Sequence, residues 1–90
     1  MWSWDPRKDA ANQAKHGVSF ALAQLVFEDP LHISRPDPFP DEERWQTLGR
    51  VGPACLFVVH TVWDDESFAG RIISARRATA AERRWYEEEG

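Results

Sequence analysis

Several features that define large classes of protein are missing from this 90-residue sequence. No apolar run reaches the roughly 18 residues that cross a membrane, so we expect no membrane partner. Residues 1–10 carry charges and Pro6 where a secretion signal would have an apolar stretch. The only cysteine, Cys55, cannot form an internal disulfide, and its apolar surroundings favour a buried, inert thiol. These absences predict a cytoplasmic protein.

Motifs for metals and cofactors are missing as well. The sequence has three histidines and many carboxylates, but it has neither a His-Glu-x-x-His pattern nor paired cysteines. No glycine-rich phosphate loop occurs. We therefore expect no metal and no cofactor. The net charge of −4 argues against indiscriminate binding to nucleic acid.

The sequence does contain the material for one small hydrophobic core. Hydrophobic residues make up 42% of the chain, within the ordinary range for globular proteins. Five Trp and five Phe add large side chains, each of which buries about 150–250 Å² when packed. We therefore expect a single domain spanning residues 1–90.

Charged residues are unevenly distributed along the chain. Arg71, Arg76 and Arg77 lie in residues 67–77 without any acid, whereas residues 37–43 hold four acids and no base. Residues 64–66 are all acidic as well. This segregation favours one basic face on an acidic body. In the alternative interpretation, the arginines only neutralise these acids.

Capping residues and periodicity predict an α+β fold with two N-terminal helices, a four-stranded antiparallel meander and a C-terminal helix. Asp5-Pro6 is typical of a helix start and Gly17 of a left-handed helix end. Trp2-Ser3-Trp4 is compatible with a short strand before the first helix. The predicted elements are helices over 6–16 and 20–27, strands over 31–35, 44–51, 54–63 and 68–76, and a helix over 80–88.

Side-chain alternation predicts which residues share a face. In the last strand it puts Arg71 and Arg77 on one face and Arg76 on the other, so the three can line one site only if the strand bulges or ends near Arg76. In the second helix we expect Phe20, Ala23 and Phe27 to face the core, with Leu22 and Val26 beside them. Thr79 to Glu82 has the capping-box pattern, and Ala78, Ala81 and Trp85 form the expected apolar stripe of the last helix.

Three segments together carry a resemblance to a known family. They are WDPRKDAANQAKHGVSFALAQLVFEDP at 4–30, EERWQTLGRVG at 42–52 and GRIISARRATAAERRWYE at 70–87. In this combination and order the chain resembles the BrnT toxins of type II toxin–antitoxin modules. It departs from the family pattern at Ala21-Leu22, where an acidic pair is common. The resemblance implies a compact RelE-like fold and cleavage of RNA without a metal. It also implies a ribbon–helix–helix antitoxin (BrnA-like), with operator DNA bound only through the complex.

Metal-free RNA cleavage requires cations on the phosphate and groups that move protons. Arg71, Arg76 and Arg77 are the first candidates for phosphate contacts, because a guanidinium stays charged and binds two phosphate oxygens. Solvated strand arginines are the alternative. Lys15 and His16 are candidates for proton transfer. A helix C-terminus favours protonated His16, which suits an acid more than a base, and the alternative is a helix cap.

The remaining candidates each have a structural alternative of equal or greater weight. Glu82 suits a general base, but the capping box accounts for it fully. Tyr86, one turn further, either reaches the same site or docks the helix on the sheet. Arg44 and Trp45 are candidates for RNA binding through phosphate contact and base stacking, whereas an ion pair with Glu42 or Glu43 would make Arg44 structural. His60 is a further RNA-binding candidate, although its strand position favours a buried histidine with satisfied hydrogen bonds.

The sequence is compatible with three functions. The first is the toxin ribonuclease, endonucleolytic and metal-independent, neutralised by its antitoxin. The second is a non-catalytic protein-binding module that acts as a co-repressor in the antitoxin complex, for which five Trp would be suitable interface anchors. The third, a weak nucleic-acid-binding domain without chemistry, is disfavoured by the net negative charge.

Overall fold

The computed structural model of the chain describes residues 2–61 and 70–89. Four strands form one antiparallel sheet in the order β1-β2-β3-β4, which confirms the predicted α+β fold with its meander and C-terminal helix. The predicted turn over 64–67 and the predicted strand start at Phe68 lie outside the described residues. In chain order the elements are α1 (Pro6–His16), α2 (Phe20–Ala23), a 3₁₀ helix (Gln24–Glu28), β1 (Ile33–Pro36), β2 (Arg44–Val51), β3 (Ala54–Thr61), β4 (Ile72–Arg77) and α3 (Ala80–Glu89).

The ends of α1 are the predicted ones. The Asp5 side chain accepts a hydrogen bond from the Arg7 N–H at 2.8 Å, and Gly17 adopts the left-handed conformation with φ of 71°. The second predicted helix is α-helical only to Ala23 and continues as the tighter 3₁₀ helix to Glu28. Its start receives two caps, because Asp9 of α1 accepts the Phe20 N–H at 2.9 Å in addition to the expected cap from Ser19.

Strand β4 contains a bulge that reverses the predicted faces. His60 pairs with Ile72 and Val59 pairs with Ser74, so Ile73 is an extra residue in β4. Arg71 precedes the bulge and exchanges hydrogen bonds with Thr61. The prediction that Arg71 shares a face with Arg77 is therefore wrong. Arg71 lies on the same face as Arg76, and Arg77 lies on the opposite one.

Each face of the sheet has its own hydrophobic core. α1, α2 and the 3₁₀ helix cover one face, where the largest fully buried side chains are Phe20, Leu56 and Ile72. The second face packs against α3 through Leu48, Cys55, Phe57 and Tyr86, and the cysteine is buried as expected.

Two apolar residues in or beside the predicted helix stripes are exposed. Leu22 is 42% exposed, because the turn of α2 directs Phe20 and Ala23 into the core and leaves Leu22 on the outer side. Ala81 is exposed, whereas Tyr86, five residues further along α3, is buried. None of the described helices is long and apolar enough to cross a membrane.

Polar contacts attach the N-terminal region to β4. The buried Asn12 side chain donates to the carbonyls of Val18 and Ala75, both at 2.8 Å, and accepts the Ala75 N–H at 3.1 Å. Ser3 donates to the Gly70 carbonyl and accepts the Ile72 N–H. The expected short strand over 2–4 is thus a single bridging residue, Ser3, parallel to Arg71.

Candidate active site

The sheet face that α3 partly covers carries Arg50 near the end of β2 and four further arginines, which together form what we call the arginine face: Arg35, Arg44, Arg71 and Arg76. The strand register sets their positions. Arg44 of β2 lies opposite Thr61 of β3, and Thr61 in turn pairs with Arg71 at the start of β4. Arg76 lies opposite Phe57, and Arg35 opposite Gln46. Arg71 and Arg76 are separated by five residues of strand, roughly 15 Å, so the face is a row of cations and not a single cluster.

Aromatic rings orient three of these guanidinium groups. Arg76 lies 4.1 Å from the centroid of the Phe57 ring and Arg44 lies 3.7 Å from that of Phe39. Arg35 lies 4.5 Å from the centroid of Trp85, on α3. Cation–π contacts of this kind hold a charged group in a defined direction while its outer edge stays in solvent.

Glu42 lies between two arginines of this face. It accepts from Arg44 Nε at 2.8 Å and from Arg71 Nη2 at 3.3 Å. The Arg44 hydrogen bond, with the nearby charge of Arg71, holds the pKa of Glu42 below its ordinary value. The interpretation in which the arginines neutralise acids thus holds for Arg71 and the acidic stretch 37–43.

Glu82 forms an ion pair and a helix cap at the same time, at the start of α3. Its oxygens accept from both Arg76 Nη atoms at 2.8 and 3.0 Å, a bidentate pair. It also accepts the Thr79 N–H at 2.9 Å while Thr79 Oγ1 accepts the Glu82 N–H, which is the predicted capping box. The hydrogen bonds from Arg76 lower the pKa of Glu82 and raise that of Arg76. Glu82 is therefore ionised at neutral pH, as a general base must be.

Tyr86 anchors α3 to the chain segment before β1. Its hydroxyl donates to Asp29, which also accepts the N–H groups of Arg50 at 2.8 Å and Leu31 at 2.9 Å. Burial and the hydrogen bond to Asp29 raise the pKa of Tyr86 to about 12. Burial alone would raise the pKa of Asp29, but its three donors, with Tyr86 first, bring it below the ordinary value. Tyr86 thus has the structural role that was its alternative, which is to dock α3 on the sheet.

The importance of Asp29 was missed from the sequence, where the only signal was an Asp-Pro helix stop. A buried tyrosine late in a C-terminal helix requires a partner for its hydroxyl, and that requirement is the one clue the sequence offers.

The other predicted cations lie elsewhere. Lys15 and His16 line an open groove of about 240 Å³ between α1 and the outer side of β4, together with Ile73 and Ser74. Arg77 lines a separate cavity beside α3. Of the sequence candidates, the structure therefore joins Arg44 to Arg71 through Glu42, and Arg76 to Glu82. It directs the Tyr86 hydroxyl to Asp29 and places Lys15, His16 and Arg77 away from these groups.

His60 and Trp45 face the opposite core. His60 is 7% exposed, and its Nδ1 lies 2.8 Å from the Thr61 carbonyl, to which it must donate. Its Nε2 then accepts from the Thr47 hydroxyl at 2.7 Å. Burial lowers the pKa of His60, so this is the hydrogen-bonded core histidine of the structural alternative. Trp45 pairs with His60 across the strands and thus points away from Arg44.

The arginine face combines the groups that RNA cleavage through the 2′-oxygen requires. Fixed guanidinium groups stabilise charge on a phosphate, and an ionised carboxylate accepts a proton. Within residues 2–61 and 70–89, no three His, Cys, Asp or Glu side chains are arranged to hold a metal ion.

The sequence also matches the model of a known protein family. A family model described as "Ribonuclease toxin, BrnT, of type II toxin-antitoxin system" matches residues 4–82. No curated protein matches the sequence significantly. The matched region includes all four arginines of the arginine face and ends at Glu82.

Proposed function

Since the chain belongs to the BrnT family of ribonuclease toxins of type II toxin–antitoxin systems, we propose that it cleaves RNA without a metal ion on the arginine face. Membership of this family implies an RNA target and an antitoxin partner. The observation that carries the proposal is the row of oriented arginines beside two ionised carboxylates on one sheet face.

RNA phosphates take the places that carboxylates occupy in the free protein. Glu42 and Glu82 accept from the arginines with the bidentate or bridging geometry that a phosphate's oxygens also offer. A phosphate arriving at Arg76 or Arg71 exchanges one anion for another, so the cations are already oriented and desolvated in part. Such preorganisation is the main source of stabilisation for charge that develops on the phosphorus centre.

The cleavage step then needs one proton acceptor. When phosphate binds Arg76, a Glu82 oxygen becomes free to take the proton of the 2′-hydroxyl as the 2′-oxygen bonds to phosphorus. The bond from phosphorus to the 5′-oxygen breaks, and the leaving oxygen takes a proton from solvent. The products are a 2′,3′-cyclic phosphate and a 5′-hydroxyl end.

The test uses the purified, antitoxin-free chain with RNA in the presence of EDTA. Arg71→Gln should lower kcat/KM about 10- to 100-fold, the effect of losing one hydrogen bond to a charged group. Arg84→Gln, a charge-matched change on the outer side of α3, should have no effect. If folded chain gives no cleavage and no cyclic phosphate, the proposal is wrong.

The role of Glu82 can be tested separately from its role as a helix cap. Glutamine also serves in a capping box, so Glu82→Gln removes the base and keeps the start of α3. We expect kcat to fall about 10²- to 10⁴-fold, the usual contribution of a positioned base. The helix content measured by circular dichroism should be unchanged. A variant with full activity would show that another group takes the proton.

We further propose that a ribbon–helix–helix antitoxin neutralises the chain in the cytoplasm by covering the arginine face, and that operator DNA is bound only through that complex. The ion pairs of Glu42 and Glu82 also favour the alternative, a non-catalytic co-repressor, because they partly neutralise the face in the free protein. Expression of the chain alone separates the two. Arrested growth that Arg71→Gln relieves supports the toxin, whereas healthy cells and operator binding by the complex support the co-repressor.

A further inference from the structure

A second basic site lies on the other side of α3 from the arginine face. A cavity of about 160 Å³ is lined by Arg50, Arg77 and Arg83, with Glu87 as the acid among its lining residues. We call it the arginine pocket. Arg83 and Glu87 lie one helical turn apart on the side of α3 that faces the pocket. Glu82 and Trp85, by contrast, contact the arginine face.

Three different elements supply the three arginines. Arg50 lies near the end of β2, Arg77 at the end of β4, and Arg83 in the first turns of α3. The remaining lining residues are small or apolar and come from the turn between β2 and β3, the start of β3 and the link to α3: Pro53, Ala54, Cys55 and Ala78. These three positive charges are separate in the sequence, and the fold brings them to one cavity.

The positive charge of the pocket is only partly balanced. Arg50 lies 3.8 Å from Glu87, and both side chains are about half exposed. Within the described part of the chain, Arg77 and Arg83 have no carboxylate at ion-pair distance. Three arginines against one glutamate leave an excess of two positive charges, in a chain whose net charge is −4. Like charges that line one small cavity repel one another, and a bound anion offsets that repulsion.

Two of these charges also act on the thiol of Cys55, which belongs to the lining of the pocket. Burial raises the pKa of this thiol, the charges of Arg50 and Arg83 lower it, and those of Asp29 and Glu82 raise it. Arg50 and Arg83 thus lie near the same lining side chain.

We propose that the arginine pocket binds a phosphate group. A carboxylate presents two oxygens in one plane and is matched by a single guanidinium, whereas the oxygens of a phosphate point in several directions and match guanidinium groups from three elements. The source of the phosphate is either the RNA backbone or a free phosphate or nucleotide. The first of these rests on the proposed function and makes the pocket an anchoring subsite for the substrate.

An RNA strand that occupies both sites must pass over α3. A helix with its side chains is about 10–12 Å across, so the phosphate held in the pocket lies several nucleotides from the scissile bond. The pocket would then hold the substrate in register without taking part in the chemistry. RNA fragments too short to span α3 would bind more weakly than longer ones.

The experiment measures two ligands against matched variants. Inorganic phosphate is titrated by calorimetry at constant ionic strength. A single-stranded 2′-O-methyl oligonucleotide, which cannot be cleaved because its attacking hydroxyl is blocked, is titrated by fluorescence anisotropy at several salt concentrations. The variants are Arg77→Gln and Arg83→Gln, with Arg84→Gln as the control for charge. Glu87→Gln removes the acid of the pocket.

We expect Arg77→Gln and Arg83→Gln each to weaken phosphate binding about tenfold, as the loss of one charge-assisted hydrogen bond does. Glu87→Gln should tighten phosphate binding, and Arg84→Gln should leave it unchanged. If the RNA backbone is the source, the two pocket variants also reduce the slope of log K against log[salt] for the oligonucleotide by about 0.7. An unchanged slope with weakened phosphate binding assigns the pocket to free phosphate or a nucleotide.

The inference would be overturned by two results together. The pocket variants would behave like Arg84→Gln with both ligands, and Glu87→Gln would have no effect. All three pocket side chains to be changed are exposed. Circular dichroism of each variant checks that it is folded. Cleavage by the unaltered chain is measured separately. The failure of the proposed ribonuclease and the failure of this pocket are therefore distinguishable.

Discussion

Replacement of Asn12 by alanine should destabilise the protein more than any exposed substitution in α1. Asn12 is 7% exposed and satisfies three backbone groups, the carbonyls of Val18 and Ala75 and the Ala75 N–H. Alanine leaves all three without this partner in a buried region, at about 1–3 kcal/mol for each unsatisfied group. Since partial hydration recovers some of that loss, we expect a decrease of about 3–5 kcal/mol in the free energy of unfolding.

That loss is a large fraction of the total. A chain of this length has a free energy of unfolding of about 5–13 kcal/mol, and the midpoint of urea unfolding should fall by about 2–3 M at an ordinary m-value. Equilibrium urea denaturation measures it directly. Asn12→Asp, which keeps an acceptor for the Ala75 N–H but has no donor, should also be strongly destabilised. The control is Gln13→Ala, because Gln13 is exposed and its side chain donates only to Asp9.

The reasoning would be refuted by a midpoint for Asn12→Ala that lies within about 0.5 M of that for Gln13→Ala, with an unchanged m-value. Such a result would mean that the three backbone groups find other partners when the amide is removed. The attachment of α1 to β4 would then rest on apolar packing alone.

Three further predictions concern other parts of the fold. Tyr86→Phe removes the hydrogen bond to Asp29 and should lower the free energy of unfolding by about 1–2 kcal/mol in urea denaturation. Burial holds the pKa of His60 in the folded state below its unfolded value of about 6.5. The unfolded chain therefore binds more protons, and stability should fall as the pH drops below about 6.5 toward the lower folded pKa. His60→Gln should flatten that decline, and an equal slope in both proteins would contradict the assignment. A Cβ at Gly49 would lie 2.8 Å from the Val26 carbonyl oxygen, so Gly49→Ala should cost about 1–3 kcal/mol, seen as a lower thermal midpoint.

The elements with local signals were predictable from the sequence. α1 has the predicted ends because Asp5, Pro6 and Gly17 act through their own backbone and side-chain geometry and need no tertiary partner. The ends of β2 follow from its alternation and the adjacent Gly52-Pro53 turn. The capping box at Glu82 is likewise local.

Features that depend on tertiary contacts were not predictable. The bulge at Ile73 follows from how β4 pairs with β3, and strand alternation alone gives no sign of it. That single extra residue decides that Arg71 and Arg76 share a face and that Arg77 does not. The sequence therefore predicted the kinds of residue in the candidate site, arginines with a carboxylate, but not which arginines lie on the same face. Arg35 joins it through β1 and Trp85, which no local pattern indicates.

The backbone bonds that Ser3 and Asn12 make with β4 also determine how this protein can associate with others. β4 is a border strand of the sheet, and a border strand normally offers free N–H and C=O groups to which another polypeptide can add. Here the outward N–H groups of Ile72 and Ala75 are already engaged within the same molecule. Along this border, a partner chain cannot extend the sheet without first displacing Ser3 or Asn12. An antitoxin that approaches this border must accordingly bind through side chains, and fibre-like growth from this border is suppressed.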